Sequence, residues 1–253
     1  MLPVLWTALG VGGATVIGAL LGFLFKNPSH KLNDYILSFA AGVMMAAAVV
    51  GLVLPSLESG EGIGSLLVTA TGMFVGALCL NVIDRLVPHL HKMTGVDQEL
   101  HPEKTAQLSR VLLFVIAIAI HNLPEGIAAG VSFGTENTAQ ALTVAGGIAL
   151  QNIPEGMVII APMIAAGMRR GRTFVIAMMT GVVEVVGTFL GYFAVRVSAA
   201  ILPFALAFAG GTMLYVISDE MIPETHVHGN ERGATYFLLL GFIVMLAFDF
   251  LLG

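Results

Sequence analysis

Charge is what this sequence has least of. Charged residues make up 11% of its 253 positions, against about 25% in a typical soluble domain. So little polar material cannot cover a globule of this size in water, which excludes an ordinary soluble fold. Cysteine is almost missing: Cys79 stands alone in an apolar run, so no intrachain disulfide and no cysteine-cluster metal site is available. A basic excess is missing too. With 11 Lys and Arg against 16 Asp and Glu, a net charge of -5 and a pI near 5.7, the chain has no electrostatic footprint for nucleic acid. No GxxxxGK[ST] segment occurs, which removes the phosphate-cradling loop that would mark nucleotide-driven work. What remains is apolar: 57% of residues are hydrophobic and the mean hydropathy is +0.92. The surface of such a chain faces lipid, and the whole of 1–253 is expected to form a single polytopic membrane domain of all-α class.

A spanning helix needs roughly 20 mostly apolar residues to cross about 30 Å of hydrocarbon. Eight stretches meet that length: 3–25, 34–54, 63–83, 110–133, 138–166, 173–195, 198–218 and 233–252. Gly10, Gly12, Gly13, Gly18 and Gly22 in the first span read as packing faces, since small residues let helices approach closely in lipid. No positive segment precedes this span and the first charge is Lys26, so it is expected to be a retained span and not a cleaved signal.

Basic residues set the expected orientation. Lys26, Lys31, Arg85, Lys92, Lys104, Arg110, Arg169, Arg170, Arg172 and Arg232 all fall after odd-numbered spans, and only Arg196 falls on the other side. The positive-inside rule then puts the odd-numbered loops in the cytoplasm and both termini outside. The longest loop, about 84–109, carries His89, His91 and His101 and is expected on the cytoplasmic side.

One internal similarity carries the chemistry. Span 4 reads IAIAIHNLPEGIAAG and span 5 reads GGIALQNIPEGMVII, superposing at an offset of 30 residues. On a helix His121, Asn122 and Glu125 share one face within about a turn, and Gln151, Asn152 and Glu155 repeat the arrangement. Consecutive spans joined by a short loop run antiparallel and pack as neighbours, so the two polar faces can meet. Pro124 and Pro154 have no N–H and release the carbonyls of Ile120 and Leu150, a defect that lipid tolerates only where protein or a wet cavity satisfies the freed groups. Span 6 adds Glu184 near its midpoint.

Three carboxylates at bilayer depth would cost about 2.5–3.5 kcal/mol each on insertion scales if unpaired. No Lys or Arg lies mid-span to neutralise them. A bound cation balances them. Imidazole with carboxylate and amide oxygens suits Zn²⁺, Fe²⁺ or Mn²⁺ better than Ca²⁺, and the absence of thiolates disfavours copper(I). The bland alternative makes the two segments helix-kinking and packing elements with buried, protonated carboxylates, which leaves the doubling of the pattern without a reason.

HNLPEG in span 4, QNIPEG in span 5, Glu184 in span 6 and SDEMIPETH ending span 7 together resemble the ZIP family of divalent metal transporters, in its bacterial GufA-like branch. The resemblance runs over all eight spans. It implies an inverted repeat relating spans 1–3 to spans 6–8 around spans 4–5, and a binuclear metal site between spans 4 and 5. The ligands it implies are His121, Asn122, Glu125, Gln151, Asn152, Glu155 and Glu184, with Met44 of span 2 near the metal. Many relatives have His where Gln151 stands and some have Asp at Asn152, so this site carries less charge and fewer imidazoles.

The expected function is import of divalent transition metal, zinc first and iron, manganese or cadmium as further substrates, across a bacterial inner membrane. Alternating access and a homodimer are implied by the resemblance alone. An intramembrane metal hydrolase would use similar residues, but HExxH is absent and neither motif has a second His at i+4. Weaker signals are Glu58 and Glu61 as an acidic entrance, and Asp219, Glu220, Glu224, His226 and His228 as further ligands at the inner end of span 7.

Overall fold

A computed structural model describes residues 1–24, 29–93, 102–135 and 137–252. Among them the chain is helical, without strands, and folds into eight rods. These are α1 (Leu2–Gly22), α2 (His30–Ala48) continued through a π-turn at Val49–Val53 into α3 (Leu54–Glu58), α4 (Gly62–Met93) and α5 (Pro102–Ser132). They continue with α6 (Thr138–Ala165), α7 (Arg170–Val197), α8 (Leu202–Val216) continued through a π-turn at Ile217–Met221 into α9 (Ile222–Thr225), and α10 (Glu231–Leu252). Among the described residues seven helical stretches are long and apolar enough to cross a membrane. Helix ends carry the expected chemistry. Ser29 Oγ accepts from Leu32 N at 3.2 Å and Asn137 Oδ1 from Ala139 N at 3.0 Å, satisfying donors that a helix start leaves orphaned. Gly167 turns the chain out of α6 with φ +83, a conformation glycine adopts without strain.

The rods match the apolar stretches, with one correction. The connection read as 84–109 is much shorter, because α4 stays helical to Met93 and α5 begins at Pro102. Hydropathy marks where lipid ends, whereas a helix in water needs only its own hydrogen bonds and continues into polar sequence. The side chains of His89 and His91, and all of His101, lie outside the described residues.

Packing sorts the rods into two bundles. In one, α1 lies along α6 and α7, and α5 along α7; in the other, α2 lies along α10 and α4 along α8. Glycines make these approaches possible. Gly12, Gly18, Gly22, Gly42 and Gly72 each press on a neighbouring helix, and so do Gly181, Gly187, Gly191, Gly211 and Gly241. Each glycine of the first set is matched by one of the second set 169 residues on, the separation that also links Thr15 and Glu184. Gly18 meets Ile153 of α6 while Gly187 meets Leu123 of α5, so the exchange also swaps spans 4 and 5. Both interrupted rods repeat the device as well: a π-turn precedes Pro55 in span 2 and Pro223 in span 7. Since span 1 and span 6 cross in opposite senses, this is the inverted repeat of spans 1–3 and 6–8 around spans 4–5. Where the bundles face each other the buried core is built largely from Ala40, Ala41, Ala48, Ala128, Ala129, Ala145 and Ala209 with Met44, Leu52, Ile148, Leu206 and Met213.

Candidate metal site

The two PEG segments sit in uninterrupted helices, Pro124 inside α5 and Pro154 inside α6. Their glycines explain the motif's last letter. A methyl group on Gly126 would overlap the backbone of α7 at Glu184, and one on Gly156 would overlap the backbone of α1 at Thr15. Only a residue without Cβ lets α5 and α7 touch there, and that contact brings Glu184 beside Asn122.

All eight sequence candidates are buried. Asn122 and Asn152 both give their amino groups to Glu184: Asn122 Nδ2 donates to Oε1, and Asn152 Nδ2 to Oε2 at 2.6 Å. Two groups from span 1 join them, absent from any motif: Thr15 Oγ1 donates to Glu184 Oε1 at 2.6 Å, and Val11 O accepts from Asn152 Nδ2 at 3.3 Å. Neither has a sequence signature, because a threonine or a carbonyl in an apolar span looks like any other until the fold puts it beside a carboxylate.

The oxygens left over are the telling part. Both oxygens of Glu125, Oδ1 of Asn122, Oδ1 of Asn152 and both polar atoms of Gln151 are buried without a hydrogen-bond partner. Leaving one such group unpaired costs about 1–3 kcal/mol. An oxygen-rich cluster of this kind fits a hard or borderline cation. Among the described residues no three His, Cys, Asp or Glu side chains are grouped so as to hold an ion by themselves.

His121 and Glu155 form the mouth. They are 8% and 9% exposed, against 0% for Asn122, Glu125, Gln151, Asn152 and Glu184, and they line a cavity of about 350 Å³ together with Asp219, Glu220 and Glu224. At about 30 Å³ each, roughly ten waters fit. His121 Nε2 pairs with Glu220 Oε1 at 2.7 Å, joining α5 to the π-turn of span 7 and so one bundle to the other. Of the five polar residues closing span 7, the structure therefore brings Asp219, Glu220 and Glu224 to the cavity. It turns His226 onto Ile222 O and Thr235, and pairs His228 with Asp34 at 3.0 Å. Met44 is fully buried in the apolar core between the bundles, and Glu58 and Glu61 are exposed.

A helical membrane protein of inverted repeats, with a doubled polar motif facing an acid at its centre, defines the class as a transporter fold. The chain belongs to the ZIP family: the family described as "ZIP Zinc transporter" matches residues 89–249. It is similar to the zinc transporter GufA of Myxococcus xanthus, 41% identical over 97% of each chain. It is 38% identical to the zinc transporter ZIPB of Bordetella bronchiseptica, over 95% of this chain and 78% of the relative. Similarity extends to the human zinc transporter ZIP11, at 32% identity over 95% of this chain and 94% of that one.

Proposed function

We propose that this protein carries Zn²⁺ across a bacterial inner membrane into the cytoplasm through a site between α5 and α6, with Fe²⁺, Mn²⁺ and Cd²⁺ as competing substrates. The observation that carries the reading is the set of buried, unpartnered oxygens of Asn122, Glu125, Gln151 and Asn152, beside a cavity that His121 and Glu155 line together with Asp219, Glu220 and Glu224. The site is binuclear in this reading. One ion sits toward the cavity at His121 and Glu155 and one deeper, among Asn122, Asn152 and Glu184, with Glu125 and Gln151 as shared donors and Met44 flanking them. An ion bound by amides and carboxylates with a single imidazole is held firmly enough to enter and loosely enough to leave.

Both termini lie outside in this reading, so the cavity at Asp219, Glu220 and Glu224 opens to the cytoplasm, the conformation from which metal is released. Three carboxylates there attract the cation onward, and transfer from His121 requires its pair with Glu220 to open. In this reading access alternates at the alanine-rich contact between bundles, α1, α5, α6 and α7 moving as a unit against α2, α4, α8 and α10, and the protein works as a homodimer. Flux of ⁶⁵Zn²⁺ into liposomes holding only this protein tests the reading, with competition by Fe²⁺, Mn²⁺, Co²⁺ and Cd²⁺ ordering the substrates. Protein-dependent flux that is indifferent to alanine at both His121 and Glu155 would sink it.

A further inference from the structure

Span 1 reaches the site with two groups one turn apart. Thr15 is 1% exposed, its hydroxyl donating to Glu184 Oε1 at 2.6 Å, and the carbonyl of Val11 accepts from Asn152 at 3.3 Å. The backbone around Thr15 has no slack. Gly156 presses on the carbonyl of Thr15, Gly18 on that of Ile153, and Gly12 and Gly181 meet back to back. In the inverted repeat Thr15 holds on span 1 the place that Glu184 holds on span 6, with the same 169-residue separation as the glycine pairs. A second carboxylate at this position would set two anions at hydrogen-bonding distance in a dry interior; a hydroxyl supplies a donor instead.

We propose that Thr15 is a positioning residue of the transport site: its hydroxyl fixes the Glu184 carboxylate, which holds Asn122 and Asn152 by their amino groups and leaves their oxygens to the ion. The proposal rests on the reading that metal passes through this site. Oε1 is shared by Thr15 and Asn122, while Oε2 takes Asn152. The carboxylate's terminal torsion is intrinsically broad, so the donors around it set its plane. Removing one of its three side-chain donors lets the plane turn, and both carboxamides turn with it. The ion then meets a site that must be ordered on binding, a cost that appears in affinity more than in turnover.

The test measures Zn²⁺ affinity by chelator competition in nanodiscs, and ⁶⁵Zn²⁺ uptake in liposomes, for Thr15→Val, Thr15→Ser, Glu184→Gln and the double variant Thr15→Val with Glu184→Gln. A hydrogen bond to a charged group sets the scale, so Thr15→Val should weaken Zn²⁺ affinity about ten- to hundredfold. KM should rise in step while the maximal rate stays within about twofold. Thr15→Ser keeps the hydroxyl and should stay within about threefold of the parent. With Glu184→Gln already present, losing the hydroxyl should cost less than about threefold, because the charged acceptor is gone. Parental affinity in Thr15→Val overturns the proposal, and so does an equal loss in both backgrounds, which would mean that Thr15 acts through packing. If Thr15→Val does not assemble, Thr15→Cys, of similar size and a weak donor, takes its place with the same expectation. A different failure is separable: if Glu184→Gln alone binds and transports as the parent does, Glu184 is not in the path and the reading of the site falls, whatever Thr15 does.

Discussion

At the residue scale the site depends on atoms that a side-chain list does not reveal, above all the missing Cβ of Gly126 and Gly156. Replacing a helical glycine by alanine ordinarily stabilises by about 1 kcal/mol. Here the added methyl overlaps backbone of the facing helix, and overpacking of that kind costs about 1–3 kcal/mol, so the steric cost wins. Gly126→Ala and Gly156→Ala should lower thermal stability and uptake together, whereas Gly10→Ala and Gly13→Ala, where nothing lies within 4 Å of the new atom, should do neither. Melting curves and ⁶⁵Zn²⁺ uptake on the four variants check this. For the ligands, His121→Ala and Glu155→Ala should each lower the uptake rate per inserted protein by more than about tenfold, the scale on which even outer partners of a metal ligand matter. Gln151→His adds an imidazole and should keep transport while shifting preference from Mn²⁺ toward Zn²⁺, as measured by competition.

At the element scale, the interrupted rods matter most. A π-turn before Pro223 widens span 7 where Asp219 and Glu220 stand, and such turns often mark functional positions in helices. The widened turn carries Glu220 to His121. A cation taking Nε2 of His121 must displace that carboxylate, so Glu220→Gln should tighten Zn²⁺ binding by about three- to tenfold, the worth of one hydrogen bond, while slowing uptake through slower release. Chelator competition and initial rates measured on the same preparation separate the two effects; weaker binding would show that Glu220 ligates the ion and does not compete for His121.

For the whole molecule the expected outcomes concern sidedness and protons. With exposed Cys79 first replaced by Ala, Ser59→Cys should label from outside intact cells and Glu231→Cys should not, since both termini are read as external. The reverse pattern would invert the cavity's direction. Carboxylates and imidazole bind metal only after losing a proton, so protons and metal compete. Zn²⁺ affinity in nanodiscs should therefore fall as the pH is lowered from about 8 to 5, with proton release on metal binding. A flat profile would remove Glu125, Glu155 and His121 as ligands.

Lipid exposure, the helical class, the approximate places of the apolar stretches and the doubled motif were legible in the chain by itself, because each depends on residues near one another in sequence: hydropathy over a span and side-chain spacing over one turn. Those signals put the faces of His121, Asn122 and Glu125 and of Gln151, Asn152 and Glu155 together and placed Glu184 near the middle of its span, while their union in one site was implied by the family resemblance. They could not tell that Glu184 would accept hydrogen bonds from both asparagines, that Thr15 and the carbonyl of Val11 would complete the ring, or that His121 would be paired with Glu220. Nor could they sort Asp219, Glu220 and Glu224, which face the cavity, from His226 and His228, which do not. Such partnerships join residues far apart in the chain, 169 positions in the case of Thr15 and Glu184. They are decided by which glycines let which backbones touch, a property of helix packing in three dimensions and not of any local stretch of sequence.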